Sequence, residues 1–170
     1  MTVPIGEAMA AMWWGALVAL VGSSFAVAAC AQSSGVPSSR VPVSTQRILS
    51  EQDSGLQQSR RVVVRNAGDW QSIEGELRRG GVSASLPVLD FGRSMVILAA
   101  MGTQSTGGYT ITIEGVYRGE GRLWVMVREE APGPGCMVAQ VVTTPVDAVS
   151  VPRSDEPVSF VERKEKRGCS

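Results

Sequence analysis

Histidine is absent from this 170-residue chain. Its absence removes the commonest general base, the usual activator of a Ser or Cys nucleophile, and the commonest zinc ligand. Lysine is almost absent too: Lys164 and Lys166 both sit in a polar C-terminal stretch. No two carboxylates pair in an apolar setting, so the acid–base route that needs no His has no visible site. These absences disfavour an enzyme, and no catalytic, metal-ligating or cofactor-binding residue is assigned. An excess of either charge is missing as well. With 16 basic and 16 acidic residues, there is no electrostatic case for nucleic-acid binding. The length suits one domain of ordinary size.

Two short matches to known motifs fail on their neighbours. Gly102 and Gly107 have the spacing of a phosphate-binding loop. That loop needs a Lys and then a Ser or Thr after the second glycine, and it must open a helix. Gly108 and Tyr109 stand there instead, followed by Thr110-Ile111-Thr112-Ile113, an alternating β-branched strand pattern. Asp90-Phe91-Gly92 mimics the metal-binding triplet of kinases, with none of the accompanying motifs.

Residues 8–29 carry no charge and end in Val27-Ala28-Ala29-Cys30. An apolar segment closing on small residues and a Cys resembles a bacterial lipoprotein signal peptide, residues 1–29, with Cys30 as the lipidated residue. The segment before it, MTVPIGE, has no basic residue, whereas a secretory leader normally starts positive. An uncleaved transmembrane anchor is the alternative, since roughly 20 apolar residues span a bilayer. Simple secretion is a third. Each places the rest of the chain outside the cytoplasm, and the first makes it a membrane-anchored lipoprotein of the outer membrane or cell surface.

Residues 30–59 are rich in Ser, Gln and Pro and poor in apolar side chains, which reads as a flexible tether. A β domain is expected over residues 60–163 and a solvated polar tail over 164–170. Arg60–Arg65 reads as a strand. Asp69 is the expected cap of a short helix whose Trp70, Ile73 and Leu77 share one face, with Gly80-Gly81 ending it. Leu86–Phe91 reads as a strand or the approach to one. Ser94–Ala100 is an unbroken apolar run of the length of a buried strand. Residues 108–117 and 122–128 form a hairpin around Arg118-Gly119-Glu120-Gly121. Residues 138–143, 148–151 and 157–161 supply further strands. The fold class is therefore mainly β: an antiparallel sandwich or curled sheet of six to eight short strands with one short N-terminal helix.

Three stretches, taken in order, carry a family resemblance: Asp90-Phe91, Gly102-Thr103-Gln104-Ser105-Thr106-Gly107-Gly108-Tyr109, and Gln140-Val141-Val142-Thr143-Thr144-Pro145. Together they resemble the C-terminal domain of the protease complex subunit PrcB family, roughly from Val62 to Arg163. The resemblance implies a non-catalytic, lipid-anchored envelope protein that binds a secreted subtilisin-like serine protease as an accessory or assembly subunit. A protease inhibitor and a structural or ligand-binding envelope lipoprotein are the alternatives, with an envelope enzyme behind them.

Two loops are the candidate contact surface: Thr103, Gln104, Ser105, Thr106, Gly107, Gly108 and Tyr109, and the Pro-Gly loop with Pro132 and Pro134. Gly107-Gly108 is expected to supply positive φ or a close backbone approach. The plainer reading is two ordinary loops that join strands. Cys136 and Cys169 are a candidate disulfide outside the cytoplasm. A nucleophilic Cys136 is disfavoured, because no His is there to lower its pKa.

Overall fold

A computed structural model describes residues 39–83 and 85–169. The leader, Cys30 and the first part of the tether lie outside the described residues. In chain order the elements are β1 (Val41–Val43), β2 (Gln46–Glu51), β3 (Arg60–Val64), α1 (Ala67–Arg79), β4 (Ser94–Ala100), β5 (Thr110–Gly119), β6 (Arg122–Pro132), β7 (Val146–Pro152) and β8 (Val158–Arg167). They form two four-stranded sheets, one ordered β1-β5-β6-β8 and the other β2-β7-β4-β3. The pairings are antiparallel except that β8 runs parallel to β6. The described residues are thus mainly β, with one short helix.

β4 explains the arrangement. Its run SMVILAA does not alternate because both its faces are covered. Val96, Leu98 and Ala100 pack with Trp70, Ile73 and Leu77 of α1, whereas Met95, Ile97 and Ala99 pack with Ile111, Ile113, Val125 and Val127 of the opposite sheet. The result is three layers: helix, sheet, sheet. Each α1 side chain buried there contributes about 1.5–3 kcal/mol. In the β1-β5-β6-β8 sheet one face looks outward, so β6 alternates: Leu123, Val125 and Val127 are buried and the residues between them are not. β5 and β6 meet at Glu120-Gly121, both at positive φ (54° and 68°), as a type I′ turn requires.

Several expectations are corrected. Asn66, not Asp69, caps α1: its Oδ1 accepts from the Asp69 backbone N at 2.9 Å. Asp69 sits in the first turn, its Oδ2 accepting from Asn66 Nδ2 at 2.6 Å. Of the two readings of Leu86–Phe91, the approach to a strand holds: it leads into β4 without being a strand, and Leu86, Leu89 and Phe91 pack against the α1 side of the core. Residues 138–143 form no strand either; pairing there is limited to isolated bridges at Thr143 and Thr144. The domain also starts earlier than residue 60. β1 and β2 lie within the segment read as tether, and Leu49, Ser54 and Leu56 there are buried. Both are edge strands, held by backbone pairing and few apolar side chains, so their composition looks like a linker. The tail reading fails for the same reason. β8 continues to Arg167 on backbone bonds to β6, with charged side chains pointing outward or into ion pairs.

Candidate functional site

Strand register brings the candidate loops to one end of the sandwich. Ala100 lies opposite both Arg60 and Val146, and Glu51 opposite Val146. In the other sheet Thr110 faces Glu130, and Pro132 faces Arg167. Three connections therefore meet there: residues 52–59, 101–109 and 133–145.

Backbone bonds lace them together. Gln104 and Thr143 exchange two hydrogen bonds, of 2.8 and 3.0 Å. Gly107 N donates to Ala139 O at 2.8 Å, Thr103 N to Gln57 O at 3.0 Å, and Met101 N to Pro145 O at 2.9 Å. Two buried threonines anchor the junction from the side-chain side. Thr143 Oγ1 donates to Thr106 O at 3.0 Å. Thr144 Oγ1 donates to Asp53 Oδ1 at 3.0 Å and accepts from Gly55 N at 2.8 Å. Satisfied buried polar groups of this kind hold loops in one arrangement.

Of the Gly107-Gly108 pair only Gly108 has the expected role, since Gly107 has no positive φ and a Cβ there would make ordinary contacts at 3.5 Å; Gly102, for which no such role was expected, shares it. Gly108 has φ 86°, and a Cβ there would lie 2.9 Å from Val138 Cγ1 and 3.4 Å from Pro132 Cβ. Gly102 has φ 74°, and its Cβ would meet Ser59 N at 2.6 Å. Only glycine fits either place without strain.

The candidate contact residues divide accordingly. Thr103, Ser105 and Pro134 are exposed. Gln104, Thr106, Gly108, Tyr109 and Pro132 are half-buried, and Gly107 is buried. Gly107, Gly108 and Pro132 come together against the 136–143 loop, while Pro134 stands apart in the turn closed by Cys136 N donating to Gly133 O at 3.2 Å. Most of the Gly-Gly-Tyr element is bracing that supports a neighbouring loop.

That supported loop carries what the sequence reading missed. Met137 is 99% exposed, Val142 63% and Val141 54%. The signal was available: bulky apolar residues between a Pro-Gly turn and Thr-Thr-Pro, with no alternating pattern to bury them. Cys136 at the head of the loop is disulfide-bonded to Cys169, with Cα atoms 5.3 Å apart. Gly133 N donates to Arg167 O at 2.9 Å beside it. A recess of about 280 Å³ lies between Pro132, Cys136, Met137, Val138 and the chain end at Arg167–Cys169.

The acids near this end are already committed. Glu129 pairs with Arg61, and its other oxygen lies 3.2 Å from Lys164 Nζ. Arg61 Nε lies 2.9 Å from Glu162 Oε1, without hydrogen-bond alignment. Glu130 pairs with Arg128 at 3.1 Å. Deeper in, Asp147 is fully buried on β7. Its desolvation pushes the carboxyl above the usual range, against the opposing pull of the Ile113 amide and the Arg47 guanidinium. At the far end, Arg118 and Ser154 hold Glu156 below its usual value. Among the described residues no cluster of His, Cys, Asp or Glu is arranged to hold a metal. What this end of the fold presents is a braced, partly apolar surface.

A family model described as PrcB C-terminal matches residues 95–152. The match runs from β4 to β7 and includes two of the three connections at this end; β1, β2, β3, α1 and β8 lie outside it. The resemblance to that family is thereby shown over these residues. No curated protein and no solved structure shows significant similarity to the chain.

Proposed function

We propose, with the PrcB C-terminal match as premise, that the chain is a non-catalytic accessory subunit of a secreted protease complex. On this reading Cys30 carries lipid, the chain is held at the outer membrane or cell surface, and the sandwich presents its loop end to the protease. The partner is a subtilisin-like serine protease. One observation carries the reading: Met137, Val141 and Val142 are exposed on a loop tied down by a disulfide, two buried threonines and the Gly107 amide. Exposed bulky apolar residues on a rigid support are costly in a free surface and favourable in an interface core.

Affinity capture from the native host tests it, with the full chain as bait. Its strand-forming residues from Val41 to Arg167 must be kept, because a piece cut at residue 59 loses β1 and β2. A secreted serine protease, captured by the native chain and lost with a Val142→Asp variant of unchanged Tm, supports the reading. Recovery of envelope components alone sinks it and leaves a structural lipoprotein.

A further inference from the structure

We infer that the segment Cys136–Ala139 is presented as a substrate-like strand to the active-site cleft of the partner protease, with Met137 in the pocket that selects the residue before the scissile bond. This rests on the protease-complex reading above, and it turns accessory binding into regulation of the cleft.

Endoprotease clefts take substrates as extended chains. They pair with the free backbone groups and admit one side chain into a specificity pocket. The loop offers the free backbone groups and the projecting side chain. Among the described residues, Met137 N, Met137 O and Val138 N make no hydrogen bond, and Val138 O accepts only from the local Gln140 side chain at 3.2 Å. Met137 is 99% exposed, and its unbranched thioether adapts to an apolar pocket. Val141 and Val142 lie four and five residues further on, exposed enough to rest on the rim.

The bracing governs what happens after binding. Attack at Met137 C and hydrolysis of the Met137–Val138 bond would consume one water, leaving a carboxylate on Met137 and an amine on Val138. Neither new end is free to leave. Cys136 is bonded to Cys169 on one side. On the other, Gly107 N holds Ala139 O, and Gln104 holds Thr143. The amine therefore stays beside the acyl group, and re-formation of the bond competes with hydrolysis. Preorganisation also reduces the ordering cost of binding. The loop occupies the cleft and is cut slowly.

The test mixes the full chain with subtilisin as probe and a short chromogenic peptide as reporter. Competitive inhibition is expected, with slow cleavage located by mass spectrometry between Met137 and Val138. Met137→Asp should weaken inhibition at least about tenfold, the loss typical of removing a central anchor, with no change in Tm because the side chain is fully exposed. The double variant Cys136→Ser, Cys169→Ser should be cleaved much faster at the same bond. Unchanged peptide turnover at saturating chain, cleavage elsewhere, or full inhibition by Met137→Asp would overturn the inference. Capture from the host separates the two readings. If the native protease co-purifies with Met137→Asp in an active state, the complex stands and cleft occupancy fails. If subtilisin is inhibited but no host protease is captured, cleft occupancy stands and the accessory reading fails.

Discussion

Removing the Asp147 carboxylate should destabilise the domain in a pH-dependent way. Ile113 sits at a bulge in β5, beyond the reach of β1, which pairs only with Val116–Arg118. Its outward backbone groups have no strand partner. Side chains of the opposite sheet satisfy them: Ile113 N donates to Asp147 Oδ2 at 2.7 Å, and Arg47 Nη2 donates to Ile113 O at 3.0 Å. Arg47 Nε donates to Asp147 Oδ1 at 2.9 Å, which closes the clamp. Asp147→Ala leaves the Ile113 amide buried and unpaired, a cost of about 1–3 kcal/mol. Arg47 is 48% exposed, so it rehydrates and adds little. A total of about 1–3 kcal/mol corresponds to a fall in Tm of roughly 3–12 °C for a domain of this size. Asp147→Asn retains an acceptor for Ile113 and should cost less.

The pH dependence separates the two variants further. Burial raises the Asp147 pKa in the folded state, so the native chain holds a proton where the unfolded chain, with a pKa of about 3.9, has lost it. This contribution is fully present below the unfolded value and is lost as pH rises through the folded one. The native chain should therefore gain on Asp147→Asn as pH falls from about 7 to about 4. Thermal unfolding of the three proteins across that range measures it. An Asp147→Ala shift under about 2 °C, or a native-to-Asn difference that does not change with pH, would refute the clamp.

Other outcomes follow from single sites. Gly102→Ala should destabilise by at least about 1 kcal/mol, because φ is positive and the new Cβ meets the Ser59 backbone; chemical denaturation reads it. Asn66→Ala should cost about 1 kcal/mol through the lost cap, while Asp69→Asn should cost less. Cys30→Ala should move the protein from the membrane fraction to the soluble one and abolish metabolic labelling with a fatty acid; continued membrane retention without label would instead favour an uncleaved anchor.

Local patterns carried much of the fold. Trp70, Ile73 and Leu77 are buried together on one helical face, and the unbroken apolar run of β4 is covered on both sides. The Glu120-Gly121 turn falls where its residues place it. Each of these depends on neighbours in the chain, through side-chain periodicity or a φ that few residues tolerate. The resemblance over residues 95–152 was legible through the order of its glycine and threonine motifs, although the contacts those residues make are long-range.

Tertiary structure alone decided the rest. β1, β2 and the charged second half of β8 become strands because an existing sheet offers them a backbone edge, which a short Val-Pro-Val or a polar run does not record. Nothing along the chain marks Asp147 as buried; β7 places it opposite an unpaired amide. Met137 belongs to no periodic element, and its full exposure is fixed only by the disulfide and the Gly107 bond that hold its loop outside. Periodicity along the chain tells which face of an element is apolar. Whether another element arrives to cover that face depends on contacts between residues far apart in sequence, which only the folded chain assembles.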